Sequence, residues 1–139
     1  MKNHTTLLIA ANMLLTNSCA WLDASEHVKI LDDYEVGWND TESNRAITKP
    51  IAGCDGCHQI LVTNYVYAVG HSKNYIIAKQ SANDTQTNYY IIDIVANKKN
   101  SQSGILGPLT ENDFSMNKKK LNIESIEFDM NYTNLLSTK

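Results

Sequence analysis

Five consecutive residues carry most of the chemistry this chain could perform: Cys54-Asp55-Gly56-Cys57-His58. Two thiols three positions apart, followed at once by an imidazole, match the attachment signature of c-type haem. In that chemistry the thiols add to two vinyl groups on one porphyrin edge, and the adjacent histidine reaches the iron. His71, Met116 and Met130 are the candidates for a sixth ligand. The same thiols allow a simpler outcome. Asp55-Gly56 is a tight-turn pair, so Cys54 and Cys57 can close a short disulfide once the chain has left the reducing cytoplasm. A metal held by Cys54, Cys57, His58 and His71 has the donor types for tetrahedral coordination, but its spacing is that of no recognised finger. A thioredoxin-like pair needs its cysteines at a helix N-terminus, where the dipole lowers a thiol pKa. The residues that follow, Gln59-Ile60-Leu61-Val62, read instead as a strand. That setting also weighs against haem, whose motif in small cytochromes lies among helices. The disulfide is the leading expectation and no cofactor or metal is expected. Haem c on Cys54, Cys57 and His58 is the alternative.

The third cysteine, Cys19, has a different context. Met1-Lys2-Asn3-His4 is a short start with one firm positive charge, and Leu7 to Leu15 is an apolar run. A spanning helix needs about 20 residues, so this run reads as the core of a secretion signal. Thr16-Asn17-Ser18 then leads to Cys19, in the manner of a lipoprotein box, with Thr16 where leucine is commonest. The expectation is a signal over 1–18, lipidation at Cys19, and an anchor and tether over 19–33. Several acyl chains hold a protein at a membrane far more firmly than one. The next residue, Ala20, is not aspartate, which by analogy with bacterial sorting rules points to the outer membrane, facing the periplasm.

Everything from 34 to 139 is then one small domain. Tyr34 to Trp38 alternates as a strand does, Asn39 to Asn44 is a turn cluster, and Arg45 to Thr48 is a plausible partner strand. Ile60–Val69, Tyr75–Lys79 and Tyr89–Val95 are rich in β-branched and aromatic residues and are separated by short polar loops. Ala96 to Gly104 is polar and reads as a mobile connection. Thr110 with Asp113 resembles a capping box ahead of a helix over Glu111 to Leu121. Ile126, Phe128 and Met130 alternate as a last strand would. The expected fold is α+β, mostly β: a single antiparallel β-meander sheet with one C-terminal helix packed on it. Tyr65, Tyr67, Tyr75, Tyr89 and Tyr90 crowd the central strands and are expected to pack the sheet rather than form an exposed binding row.

The stretches Tyr65–Gly70, Tyr75–Gln80, Asn88–Asp93 and Gly107–Glu111 with Phe114 resemble a family of small bacterial lipoproteins of unknown function. The likeness covers residues 62–123 and the signal. It implies export, lipidation and a small β-rich domain. It brings no activity and no site residues.

Charge narrows the functional classes. The formal net charge is −3, and removing Lys2 with the signal leaves −4. No basic stripe is present, so nucleic acid is not an expected partner. Lys118-Lys119-Lys120 reads as the solvated end of a helix, where cations suit the dipole. There is no phosphate-cradling glycine loop, no G-x-S-x-G and no H-E-x-x-H. The expectation is a non-enzymatic, lipid-anchored envelope protein that binds a protein or envelope component, an immunity-type role being one form of this. Asp32, Asp33, Glu35, Asp40 and Glu42 are the expected surface for a basic partner.

Overall fold

A computed structural model of the chain describes residues 24–134. The elements in chain order are β1 (Ser25–Leu31), β2 (Tyr34–Asn39), a 3-10 turn (Glu42–Asn44), β3 (Ala46–Pro50), β4 (His58–Val62), β5 (Val66–His71), β6 (Tyr75–Ser81), β7 (Thr87–Asp93), α1 (Ile94–Lys99), β8 (Ile105–Leu109), α2 (Glu111–Lys120) and β9 (Met130–Asn131). The strands form two antiparallel sheets, not one. The first runs β1-β2-β3-β4 and the second β8-β7-β6-β5-β9. The domain is mostly β, as expected.

The difference arises between Val62 and Val66. Composition reads 60–69 as one long strand, but β4 ends at Val62 in the first sheet and β5 starts at Val66 in the second. The crossing is pinned by Gln80, whose buried Nε2 donates to the carbonyls of Thr63 and Asn64 at 3.1 and 3.0 Å. The Val66 N–H donates to the Arg45 carbonyl at 2.9 Å, which ties the corner to the start of β3. Both halves have strand-forming residues, so propensity carries no mark of the switch.

The sheets face each other across a core of Ile30, Tyr34, Val36, Ile47 and Val62 from the first and Val66, Val69, Ile76, Ala78 and Ile92 from the second. The far face of the second sheet is covered too. Ile77, Tyr89 and Ile91 pack there against Phe114 of α2 and against Ile123 and Ile126. The second sheet is thus a middle layer, which is why β6 and β7 read as apolar runs rather than alternations. Of the strand tyrosines, Tyr65 and Tyr89 are buried and Tyr67, Tyr75 and Tyr90 are half-buried. The Tyr89 ring stacks on Phe114 at 4.8 Å.

α2 starts where the capping box placed it, with the Asp113 N–H donating to Thr110 Oγ1 at 3.1 Å. Its last turn holds Lys118, Lys119 and Lys120, as the dipole argument requires. Two expectations are corrected. The lead-in expected as tether contains β1, which pairs Val28 with Val36 and buries Ile30. The polar connection over 96–104 includes four of the six residues of α1, whose N-cap Asp93 accepts from the Ala96 N–H at 3.0 Å. Asp93 is therefore a capping residue. The signal, Cys19 and the tether up to residue 23 lie outside the described residues.

Candidate functional site

Cys54 and Cys57 form a disulfide in the exposed turn between β3 and β4. Hydrogen bonds from Ile51 N–H to the Cys57 carbonyl (2.8 Å) and from Cys54 N–H to the Ile51 carbonyl (3.2 Å) shape that turn. Sulfurs bonded to each other form no thioether and ligate no metal as thiolates. The other residues of the haem and metal sets lie elsewhere. His71 ends β5 with its Nε2 3.8 Å from Asp129, and Met116 is exposed on α2, beyond the second sheet. Met130 packs against the core between the sheets. Among the described residues no group of three or more His, Cys, Asp or Glu is placed to hold a metal ion.

His58 has a different setting. It opens β4, one edge of the first sheet, and His27 lies on β1, the other edge. In a flat sheet, edges three strand spacings apart lie about 14 Å from each other. Here the two imidazole centroids are 6.2 Å apart. The sheet is curled, and both edge strands carry an irregularity that bends them: Lys29/Leu31 pair across from Glu35/Tyr34 with Ile30 extra, and Leu61 is extra opposite Ile47/Thr48.

The curl encloses a cleft of about 500 Å³ on the face turned away from the core. Its floor is small: Gly37 of β2 and Ala46 and Thr48 of β3. Gly37 is required there, because a Cβ at this position would fall 2.6 Å from His27 Nδ1. His27 can lie across the floor only because β2 has no side chain beneath it. Its Nε2 bonds to Asn39 Oδ1 at 3.2 Å, and its Nδ1 is 3.8 Å from the Glu35 carboxylate. Asn39, Asp40 and Asn44 close one end, and Gly56, His58 and the exposed Ile60 form the wall on the disulfide side. Among the described residues three buried side-chain polar atoms have no partner, and two, Trp38 Nε1 and Thr48 Oγ1, belong to residues lining this cleft. Trp38 follows Gly37 along β2, so its indole lies on the opposite face of the sheet, whereas Thr48 shares the face of the cleft. Buried polar atoms are nearly always paired in native proteins, so the unpartnered Thr48 hydroxyl is informative.

The third such atom is Arg45 Nη1. The guanidinium is buried, stacks over Tyr132 at 4.1 Å, and lies 3.6 Å from Glu42 through its other nitrogen. It fastens the C-terminal segment to the first sheet.

The five acids expected to act as one surface are divided. Asp32 and Asp33 occupy the β1–β2 turn, and Asp40 and Glu42 follow the opposite end of β2. A strand of that length separates them by about 20 Å. Asp32 accepts from Lys98 at 2.6 Å, and that ammonium holds its carboxyl below the usual range. Glu42 faces Arg45 and Glu35 faces His27. Asp40 borders the cleft.

Sequence reading missed the cleft and one structural hub. Asn97 is fully buried. It accepts from Tyr34 OH (2.9 Å) and Lys49 Nζ (2.7 Å) and donates to the carbonyls of Ser101 and Ser103 (3.0 and 2.9 Å). Burial there pulls the Lys49 ammonium below its ordinary pKa. No pattern around Asn97 marks it, since an asparagine amid polar residues reads as loop.

What the fold and the cleft define is a small two-sheet β domain with one covering helix and a polar hollow on its outer sheet. The chain belongs to the family described as "Protein of unknown function (DUF3997)", whose model matches residues 32–133. No curated protein and no solved structure matches it.

Proposed function

We propose that this chain is exported and held at the membrane by lipid on Cys19. Its domain there binds a protein or another envelope component and catalyses no reaction. The observation that carries the binding reading is the cleft on the first sheet, one of whose lining residues, Thr48, holds an unpartnered buried hydroxyl. A hollow with an apolar floor and a few convergent polar groups is the form a recognition site takes. Asp40 at its end and Glu35 behind His27 are the acids that bear on it. Asp32 and Asp33, at the far end of β2, and Glu42, paired with Arg45, lie outside its lining. No cofactor belongs to this reading. The apolar run before Cys19 supports export, and the Ala20 that follows it supports an outer-membrane address.

Two experiments test it. In a bacterial host fed labelled palmitate, the wild-type chain takes up label and sediments with membranes, and Cys19→Ser does neither. An unlabelled wild-type chain released in soluble form would end the anchoring reading. A pull-down from envelope extracts, repeated with Asp40→Lys and with Glu35→Lys, tests the cleft. A partner captured equally by wild type and both variants does not use this surface.

A further inference from the structure

We propose that the cleft between His27 and His58 takes a neutral, polyhydroxylated ligand, one or two sugar rings of the kind found in envelope glycans. This rests on the cleft being the recognition site. The lining contains no lysine or arginine and a single carboxylate, Asp40. An anionic ligand finds no counter-charge there, and a strongly cationic one finds a single acid. What the lining does offer is a mixture of donors and acceptors: two imidazoles, the carboxamides of Asn39 and Asn44, and the Asp40 carboxylate. A sugar hydroxyl is at once donor and acceptor, so a ring of hydroxyls can meet such a mixture.

The apolar part of the lining fits the same ligand. Ile60, on the wall beside His58, is 59% exposed and offers an apolar edge to a pyranose C–H face, above a floor of Ala46 and of Gly37, over which His27 lies. Thr48 lies beside them, 9% exposed, with its Oγ1 unpartnered. A change of χ1 rotamer is the movement that would exchange its methyl for its hydroxyl at the cleft. That hydroxyl then gains in the complex a hydrogen bond that it lacks in the free protein. The cleft volume, about 500 Å³, falls within the range of small-ligand sites.

The test is a chemical-shift titration of the isotope-labelled full chain, purified from membranes in detergent. Its probes are two neutral disaccharides, N,N′-diacetylchitobiose and maltose, and tetralysine for comparison. The expected result is movement of amides of β2, β3 and Gly56–Ile60 with at least one disaccharide. Affinity should fall about ten-fold in His58→Ala and about five-fold in Thr48→Val. Met116→Ser, on α2 beyond the second sheet, should leave it unchanged. Thr48→Val removes only an unpartnered hydroxyl, so its melting temperature should match wild type and keep its binding result interpretable. Saccharide shifts confined to other surfaces, or binding indifferent to both cleft variants, overturn the proposal. Tetralysine moving the Asp40 and Asn44 amides while both disaccharides move nothing overturns the ligand class and leaves the cleft as the recognition surface. No shift at the cleft from any probe overturns the ligand class, and the pull-down with Asp40→Lys and Glu35→Lys then decides the cleft reading separately.

Discussion

At the scale of single residues, the cysteine pair and Asn97 contribute to stability in very different measure. The Cys54–Cys57 bond closes a very short loop, so chain entropy limits its contribution to about 2 kcal/mol or less. Cys54→Ser with Cys57→Ser is expected to fold and to lose only that much, read from a urea denaturation curve. The purified wild-type protein should show no Soret band, and reduction should raise its intact mass by two hydrogens. A sharp Soret band with a mass raised by one haem would replace the disulfide reading with the cytochrome one. Asn97 is the more sensitive position. Asn97→Ala strands the Tyr34 hydroxyl and two loop carbonyls around a fully buried point, and leaves the Lys49 ammonium only its bond to the backbone carbonyl of residue 97 at 3.2 Å. A loss of about 3 kcal/mol or more is expected in the same denaturation measurement. Thiol spacing is visible in a sequence because both partners are neighbours. Asn97 is not, because Tyr34 and Lys49 are 63 and 48 positions away.

At the scale of elements, α2 shows how far local rules reach. Thr110 caps it and Asp113 answers, so Thr110→Ala should cost about 1 kcal/mol in chemical denaturation. Phe114 is the residue that α2 inserts against Tyr89 and the second sheet, and Phe114→Ala should cost about 3–5 kcal/mol. If Phe114→Ala proved no worse than Thr110→Ala, α2 would not be covering that sheet. The capped start was legible because a cap is a contact over three residues. β1 was not, because Ser25–Leu31 interleaves charges with its apolar residues and looks like tether until β2 folds back on it. The turn between them places Asp32 beside Lys98 of α1. The Asp32 pKa is depressed, so its contribution is present above the ordinary carboxylate range and is lost as pH falls through the folded value. The pair is exposed, and its effect should be small and vanish in high salt.

At the scale of the whole molecule, burial of tyrosines sets the alkaline limit. Tyr34, Tyr89, Tyr90 and Tyr132 are all raised above their ordinary value of 10.0, with burial the largest cause in each. A raised folded pKa means that the folded state holds its proton more tightly than the unfolded chain does. The corresponding stability is fully present below pH 10 and is lost as pH rises through the folded values. The urea midpoint should therefore be level on the neutral side of pH 10 and fall steeply above it. A level midpoint through pH 11 would mean that these hydroxyls reach solvent. The same packing makes the second sheet a middle layer, so core substitutions at Ile77 or Ile91 act on the α2 side and those at Ile76 or Ile92 on the side of the first sheet.

By itself the sequence determined what depends on neighbours along the chain: β-rich composition, the tight Cys54–Cys57 turn, the α2 cap and the cationic helix end. It also carried a resemblance to a family of unknown function, and a family of unknown function does match residues 32–133. Tertiary structure alone decided that the strands divide into two sheets, that Asn97 ties α1 to the first sheet, and that the five acids part. The cleft is the clearest case. It exists because bulged edge strands curl the sheet and carry His27 and His58, 31 positions apart, to within 6.2 Å across a floor kept low by Gly37. Curvature is a property of how strands pair, and it leaves no local signature in the residues that it brings together.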